Sequence, residues 1–258
     1  ILWFAYSNLD LVIAGKLLGS DLVGIYSVAL TLSWVPLRKV MPTVNDIAFS
    51  TFSRIQSDRD RVRQSVLRSV RYAFAVFLPI FWGMVLVAPD AVPIVLGEQW
   101  AGTVVPLQFV CAILPMRAIV AVIPPALFGV GRPRVNVVTT AIALPIMAVG
   151  FATGAHYGVV GLAAAWLAAY PLVFAVITTQ SFPVLGVSWR DVWNNLRFPL
   201  LAGAAMVGSV LCVQLVTRDA PTLLRLIVCM ASGAAVYLGV IYKADRAAIT
   251  DLRALLAR

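Results

Sequence analysis

Charged residues are scarce in this sequence, and acidic residues are scarcer than basic ones. Only 12% of the 258 residues are Asp, Glu, Lys or Arg, 61% are hydrophobic, and the mean hydropathy is +0.93. A soluble domain usually carries about a quarter of its residues as charges. Residues 135–189 contain none of these four types. The composition therefore excludes an ordinary soluble domain and predicts an all-α, polytopic transmembrane bundle.

Histidine and cysteine are nearly absent, which removes most side chains used in metal sites and in acid–base chemistry. His156 is the one histidine, and its place in a tight turn predicts a solvated side chain. The three cysteines are scattered through apolar runs, so they predict packing residues. Asp90 and Glu98 face the external side, but no sizeable loop holds them as an acid–base pair. We expect no enzyme activity, no metal and no cofactor.

The lengths of the apolar segments, and the polar and turn residues that separate them, predict about eight membrane spans. The net charge of +9 marks membrane topology rather than a nucleic-acid partner. A short surface helix is expected at residues 188–196. The arginine-rich residues 53–71 are expected to link the second and third spans and to determine topology, and an amphipathic helix on anionic headgroups is the alternative. The predicted spans are residues 1–18, 22–52, 66–89, 101–129, 134–155, 158–182, 198–217 and 222–242.

Basic residues cluster in alternate links between these spans, which predicts the orientation. By the positive-inside rule, the cation-rich links lie in the cytoplasm and the C-terminus is cytoplasmic. The opposite links hold only Lys16, Arg218 and Arg225. The cation-rich side carries Arg54, Arg59, Arg61, Arg63, Arg68, Arg71, Arg132, Arg134, Arg190, Arg197, Lys243, Arg246, Arg253 and Arg258.

Four ionisable residues fall at membrane depth. Arg38 and Lys39 lie near the middle of span two, Arg117 lies in span four, and Asp10 lies in span one. A cation at that depth costs about 3 kcal/mol, so it normally faces protein or a wet cavity. This pattern predicts a substrate-binding site for an anion at the three cations, with Asp10 as an ion-coupling residue.

Two other interpretations of these residues stay open. Span two can instead end near Leu37, which would leave Arg38 and Lys39 at the cytoplasmic headgroups. Asp10 can pair with a cation in a buried ion pair that only fixes helix packing. Gly150, Gly154 and Gly158, at every fourth position, predict close helix packing rather than a ligand site.

Several short motifs occur along about 180 residues in a characteristic order and spacing. They are Asn8-Leu9-Asp10, residues 13–19 (IAGKLLG), 22–29 (LVGIYSVA), 49–53 (FSTFS), 96–100 (LGEQW), 129–132 (GVGR) and 157–161 (YGVVG). In these motifs the sequence resembles the C-terminal half of the Wzx-type polysaccharide exporters, in the multidrug/oligosaccharidyl-lipid/polysaccharide exporter superfamily. Ile1 begins inside an apolar run with no signal pattern, so we expect an upstream part, the N-terminal lobe.

The resemblance implies a fold of two six-helix lobes around a central cavity. Residues 1–182 would form the second lobe. Residues 183–258 would form an interfacial linker, two extra transmembrane helices and a cytoplasmic tail. In lipid II flippase relatives, such an extra helix pair borders a groove for the lipid tail.

The resemblance also implies a function in the bacterial inner membrane. The substrate would be undecaprenyl-pyrophosphate-linked oligosaccharide, flipped by alternating access for lipopolysaccharide or exopolysaccharide biosynthesis. Membrane lipids and other polysaccharide assembly proteins would be partners. We assign the cavity-lining cations of the family to Arg38, Lys39 and Arg117 only because these residues lie at membrane depth. The alternatives are a cation-coupled multidrug exporter and a polyprenyl-dependent membrane glycosyltransferase.

Overall fold

A computed structural model describes residues 2–55 and 58–244, and these residues form an all-α bundle without strands. Helix is the expected outcome, because a chain in hydrocarbon must satisfy its backbone hydrogen bonds internally. The predicted fold class is confirmed. The predicted tail with Arg246, Arg253 and Arg258 lies outside the described residues. The helices are α1 (Leu2–Leu17), α2 (Ser20–Ile55), α3 (Arg59–Leu96), α4 (Val104–Ala121), α5 (Ile123–Gly129), α6 (Pro133–Ala155), α7 (Gly158–Val184), α8 (Trp189–Val216) and α9 (Thr222–Ala244).

Each predicted span corresponds to a helical segment of this bundle. Within the described ranges, seven segments are long and apolar enough to cross a membrane. The 16-residue α1 is shorter than the roughly 20 residues that a membrane-spanning helix usually needs. The predicted fourth span is composite: a 3-10 helix, Glu98–Thr103, leads into α4, and α5 follows after a break at Val122. Pro124 and Pro125 begin α5, where their missing N–H groups cost little.

Two helices begin earlier in the chain than the predicted membrane spans, and capping explains both. Only residues 56–58 separate α2 from α3, so the expected link at 53–71 is mostly helical. Asp58 caps α3 by accepting a hydrogen bond from the Arg61 N–H at 3.1 Å. The expected surface helix at 188–196 is the beginning of α8, which starts in a capping box of Ser188 and Asp191. These caps satisfy free N–H groups and fix where each helix begins.

Helix α4 lies at the centre of the bundle. The segment Glu98–Gly129 has 67% of its most apolar window buried, whereas the other candidate spans have 39% or less. It packs on α2, α3 and α7, while α1 packs on α6 and α6 packs on α7. Charge on α4 is therefore enclosed by protein, whereas the outer helices present aliphatic side chains to the surroundings.

Close glycine contacts join α6 to α7. A Cβ on Gly154 would lie 2.5 Å from the Gly161 carbonyl oxygen, and a Cβ on Gly150 would lie 2.8 Å from Ala169 Cβ. The packing role predicted for Gly150 and Gly154 is thus confirmed. Gly158 has another role, since it begins α7 at φ +73° with no atom near its Cβ position. Such a φ favours glycine on conformational grounds.

The helix pair α8–α9 packs on α3 and is joined to it by two ion pairs. Near one end of α3, Arg63 donates to both carboxylate oxygens of Asp191, at 2.7 and 3.2 Å. Near the other end, Arg225 Nε donates to Asp90 at 2.8 Å, and its Nη2 makes a second bond to the same carboxylate. Between them, the Tyr237 hydroxyl donates to a carbonyl of α3 at 2.7 Å. The division of the chain near residue 183 stays a prediction.

Candidate functional site

A cavity of about 750 Å³ lies between α1, α2, α4, α6 and α7. Three of the four predicted site residues line it, namely Asp10 from α1, Arg38 from α2 and Arg117 from α4. The cavity therefore brings together two cations and one acid that are far apart in the sequence. Its neutral polar and aromatic lining residues include Tyr6, Ser7, Asn8, Ser27, Thr31, Trp34, Asn136, Thr139, Thr140, Trp166 and Tyr170.

Arg117 lies among four aromatic rings at this cavity. Its guanidinium carbon is 4.5 Å from the ring centre of Trp34 and 5.6 to 5.7 Å from the ring centres of Tyr6, Trp166 and Tyr170. All four distances fall within the cation–π range of about 6 Å. In the part of the chain that the structure describes, Arg117 forms no ion pair with a carboxylate. Its charge is therefore available to an anion in the cavity.

Asp10 is held in a buried hydrogen-bond chain that ends beside Arg117. Its side chain accepts a hydrogen bond from the Leu11 N–H at 2.8 Å and from the Tyr26 hydroxyl at 3.1 Å. The Tyr26 oxygen in turn accepts a hydrogen bond from Trp166 Nε1 at 3.0 Å. Since Trp166 also contacts Arg117, a change in the charge of Asp10 has a connected route to the cation.

Arg38 and Lys39 lie differently, although they are neighbours in the sequence. Arg38 is exposed and lines the cavity, whereas Lys39 is exposed and is not among the lining residues. Adjacent helical residues point about 100° apart, so one cavity seldom receives both. Helix α2 continues past both residues, but a helix can extend beyond the membrane, so the alternative that span two ends near Leu37 stays a prediction. The substrate-binding role of Lys39 stays a prediction too.

The sequence interpretation missed the aromatic part of the site. Depth singles out ionisable groups, whereas Trp and Tyr are common in membrane helices and draw no attention there. One signal was available: Trp166 and Tyr170 are four residues apart, as are Tyr6 and Asp10, and this spacing places each pair on one helix face. Which faces meet around Arg117 depends on helix packing.

The fold and the cavity define a polytopic helical membrane protein with arginines in an internal, aromatic-lined cavity. Residues 1–105 match the family model described as "Polysaccharide biosynthesis protein". The chain is similar to bacterial polysaccharide biosynthesis proteins, and the resemblance indicated by its motifs is confirmed.

Curated relatives extend this similarity beyond the first 105 residues. The chain is 27% identical over 230 residues to the lipopolysaccharide biosynthesis protein WzxC of Escherichia coli (strain K12), covering 83% of this chain and 45% of that protein. It is 24% identical over 248 residues to the teichuronic acid biosynthesis protein TuaB of Bacillus subtilis (strain 168), covering 92% of this chain and 50% of that protein.

A shorter match is to the succinoglycan biosynthesis transport protein ExoT of Rhizobium meliloti (strain 1021). It is 29% identical over 91 residues, covering 35% of this chain and 18% of that protein. The chain spans about half the length of the first two relatives. No solved structure matches it.

Proposed function

We propose that the protein flips lipid-linked oligosaccharides across the bacterial inner membrane for surface polysaccharide biosynthesis. The observation that carries this proposal is the position of Arg117, which faces the cavity without a carboxylate partner in the described residues. The names of the relatives, which include polysaccharide biosynthesis and transport proteins, support the direction of the proposal. The transported species would be an undecaprenyl-pyrophosphate-linked oligosaccharide.

The chemistry of the cavity suits the head group of such a substrate. A pyrophosphate that crossed hydrocarbon without partners would face a prohibitive desolvation cost. Arg38 and Arg117 would offset this cost with charge-assisted hydrogen bonds, for which guanidinium geometry is well suited. The polyprenyl tail can remain in lipid, so the cavity needs to enclose only the pyrophosphate and the sugars.

The wider architecture is part of the same proposal. Residues 1–182 would form one six-helix lobe, which would alternate access to the two sides of the membrane together with a second lobe. Residues 183–258 would be the extra helix pair and a cytoplasmic tail. Asp10 would couple the cycle to an ion gradient, and other polysaccharide assembly proteins would deliver or receive the glycan.

The balance of charge in the cavity argues against a cation-coupled drug exporter. Such a protein is expected to line its cavity with acidic residues that attract cationic drugs. Among the lining residues, Asp10 is acidic, while Arg38 and Arg117 are basic. Asp10 already accepts two hydrogen bonds, whereas the guanidinium of Arg117 pairs with no acid in the described ranges. An anionic substrate fits this arrangement better.

The test replaces the two cavity arginines in the complete protein, in cells that depend on it for surface glycan. We expect Arg117→Ala and Arg38→Ala each to lower glycan display by at least about tenfold, which corresponds to 1.4 kcal/mol of lost interaction. Protein abundance should be unchanged. Arg218→Ala is the matched control, because Arg218 is exposed and outside the cavity lining. Full display by both single variants and by the double variant would overturn the proposal.

A further inference from the structure

One buried hydroxyl in the cavity, that of Tyr170, makes no hydrogen bond of ordinary geometry, although the Arg117 guanidinium lies close enough to interact with it. Among the described residues, the buried side-chain atoms without a hydrogen-bond partner are Thr103 Oγ1, Tyr170 Oη and Ser181 Oγ. Of the three residues, Tyr170 alone lines the cavity. A buried hydroxyl with no partner costs about 1 to 3 kcal/mol. The Tyr170 hydroxyl therefore requires an explanation in terms of what the cavity binds.

The surroundings of Tyr170 direct this hydroxyl to the neighbourhood of Arg117. The side chain is 1% exposed, and its ring packs against Trp166 with the ring centres 5.9 Å apart. The guanidinium carbon of Arg117 lies 5.7 Å from the centre of the Tyr170 ring. One ligand group of the size of a phosphate or a carboxylate is large enough to contact both side chains.

Arg117 also retains capacity for such a ligand. A guanidinium has five N–H donors, and one of them, on Nη1, donates to the Tyr6 hydroxyl at a long 3.5 Å. The aromatic rings restrict where the guanidinium can point, but they accept no conventional hydrogen bond from it. A cation and a hydroxyl donor thus lie together in the lining of the cavity.

We propose that the Tyr170 hydroxyl donates a hydrogen bond to an oxyanion that Arg117 holds by charge. The oxyanion is a phosphate or a carboxylate oxygen of the substrate. This inference rests on the proposed function, which gives the cavity an anionic substrate, and it adds a binding residue that charge and depth do not reveal. The two possible sources of the oxyanion are the lipid pyrophosphate and an acidic sugar.

The test measures binding of two probes, inorganic pyrophosphate and glucuronate, to the complete protein by titration calorimetry. Tyr170→Phe removes the hydroxyl and keeps the ring, so we expect affinity for one probe to fall by about five- to tenfold. The melting temperature should change little, because the hydroxyl makes no hydrogen bond of ordinary geometry within the protein. Tyr157→Phe is the control, since Tyr157 is 82% exposed and lies in a turn. The probe that weakens identifies the source of the oxyanion.

Arg117→Gln separates this inference from the proposed function. If Arg117→Gln weakens probe binding and Tyr170→Phe leaves it unchanged, the hydroxyl faces only water, and the inference is overturned while the anion site stands. If neither substitution changes binding, or if neither probe binds the unsubstituted protein, both proposals are overturned. A lower melting temperature for Tyr170→Phe would also contradict the inference, because it would mean that the hydroxyl stabilises the fold.

Discussion

The close neighbours of the Arg117 guanidinium are aromatic rings rather than carboxylates. A cation at membrane depth costs about 3 kcal/mol by insertion scales. Each desolvated cation–π contact returns up to about 2 kcal/mol, although four contacts to one guanidinium do not add in full. A carboxylate partner would stabilise the cation further, but it would also neutralise the charge. Rings keep Arg117 both ordered and cationic, which is what an anion site requires.

Asp10 provides a test of coupling that is separate from packing. Asp10→Asn keeps the shape of the side chain, but its single oxygen can accept from only one of the two donors, the Leu11 N–H and the Tyr26 hydroxyl, that now bond to separate oxygens. We therefore expect a loss of stability of about 1 to 3 kcal/mol, the cost of one unsatisfied buried donor. The substitution removes the titratable charge that the hydrogen-bond chain connects to Trp166 and Arg117. We therefore expect transport in proteoliposomes to lose its dependence on an imposed ion gradient.

The control for this experiment is Asp219→Asn, since Asp219 is exposed in the turn between α8 and α9. That variant should respond to the gradient as the unsubstituted protein does. Unchanged gradient dependence in Asp10→Asn would assign Asp10 to packing alone. A loss of stability well beyond that of one hydrogen bond would point to the same conclusion.

The cost of burying charge made part of the site predictable from the sequence. It singled out Arg38, Arg117 and Asp10, which do line one cavity. It also included Lys39, because depth along a helix carries no information about direction around the helix. This reasoning could not select Tyr170, because an aromatic residue carries no charge whose burial in a membrane segment is costly. The hydrogen bonding of its hydroxyl is known only from the structure.

The contact between α6 and α7 depends on backbone approach, and one methyl group tests it. We expect Gly154→Ala to lower the melting temperature by several degrees, because its Cβ would lie 2.5 Å from a backbone oxygen of α7 that cannot rotate away. Gly208→Ala is the matched control: Gly208 is also helical, and nothing lies within 4 Å of its Cβ position. Thermal unfolding of purified protein in detergent measures both.

Equal melting temperatures for Gly154→Ala and Gly208→Ala would contradict the close contact. The glycine spacing predicted this contact from the sequence for Gly150 and Gly154, but not the partner, Gly161, which lies outside the four-residue series. Helix ends were harder to predict, because apolar length identifies the membrane core and not the polar turns beyond it. Asp58 and Ser188 extend α3 and α8 into residues that looked like links.

The orientation of the whole molecule rests on the distribution of charge. The structure determines which chain positions lie at opposite ends of the bundle, and the positive-inside rule then predicts which end is cytoplasmic. Helix α7 has 27 residues, a length of about 40 Å that exceeds a hydrocarbon core of about 30 Å. Tyr157 before α7 and Asn194 after it therefore belong to opposite sides, and Asp219, beyond α8, belongs to the side of Tyr157.

Cysteine labelling in intact cells tests this orientation. In a background with the three native cysteines replaced by alanine, we expect a membrane-impermeant maleimide to label Tyr157→Cys and Asp219→Cys from outside. Asn194→Cys should be labelled only after the cells are opened, because the cations Arg190 and Arg197 around it are expected in the cytoplasm. All three positions are exposed, so failure to react reports sidedness rather than burial. Labelling of Asn194→Cys in intact cells would show that the orientation is inverted, with the cation-rich links outside. The positive-inside rule, and the cytoplasmic C-terminus predicted from it, would then not hold for this protein.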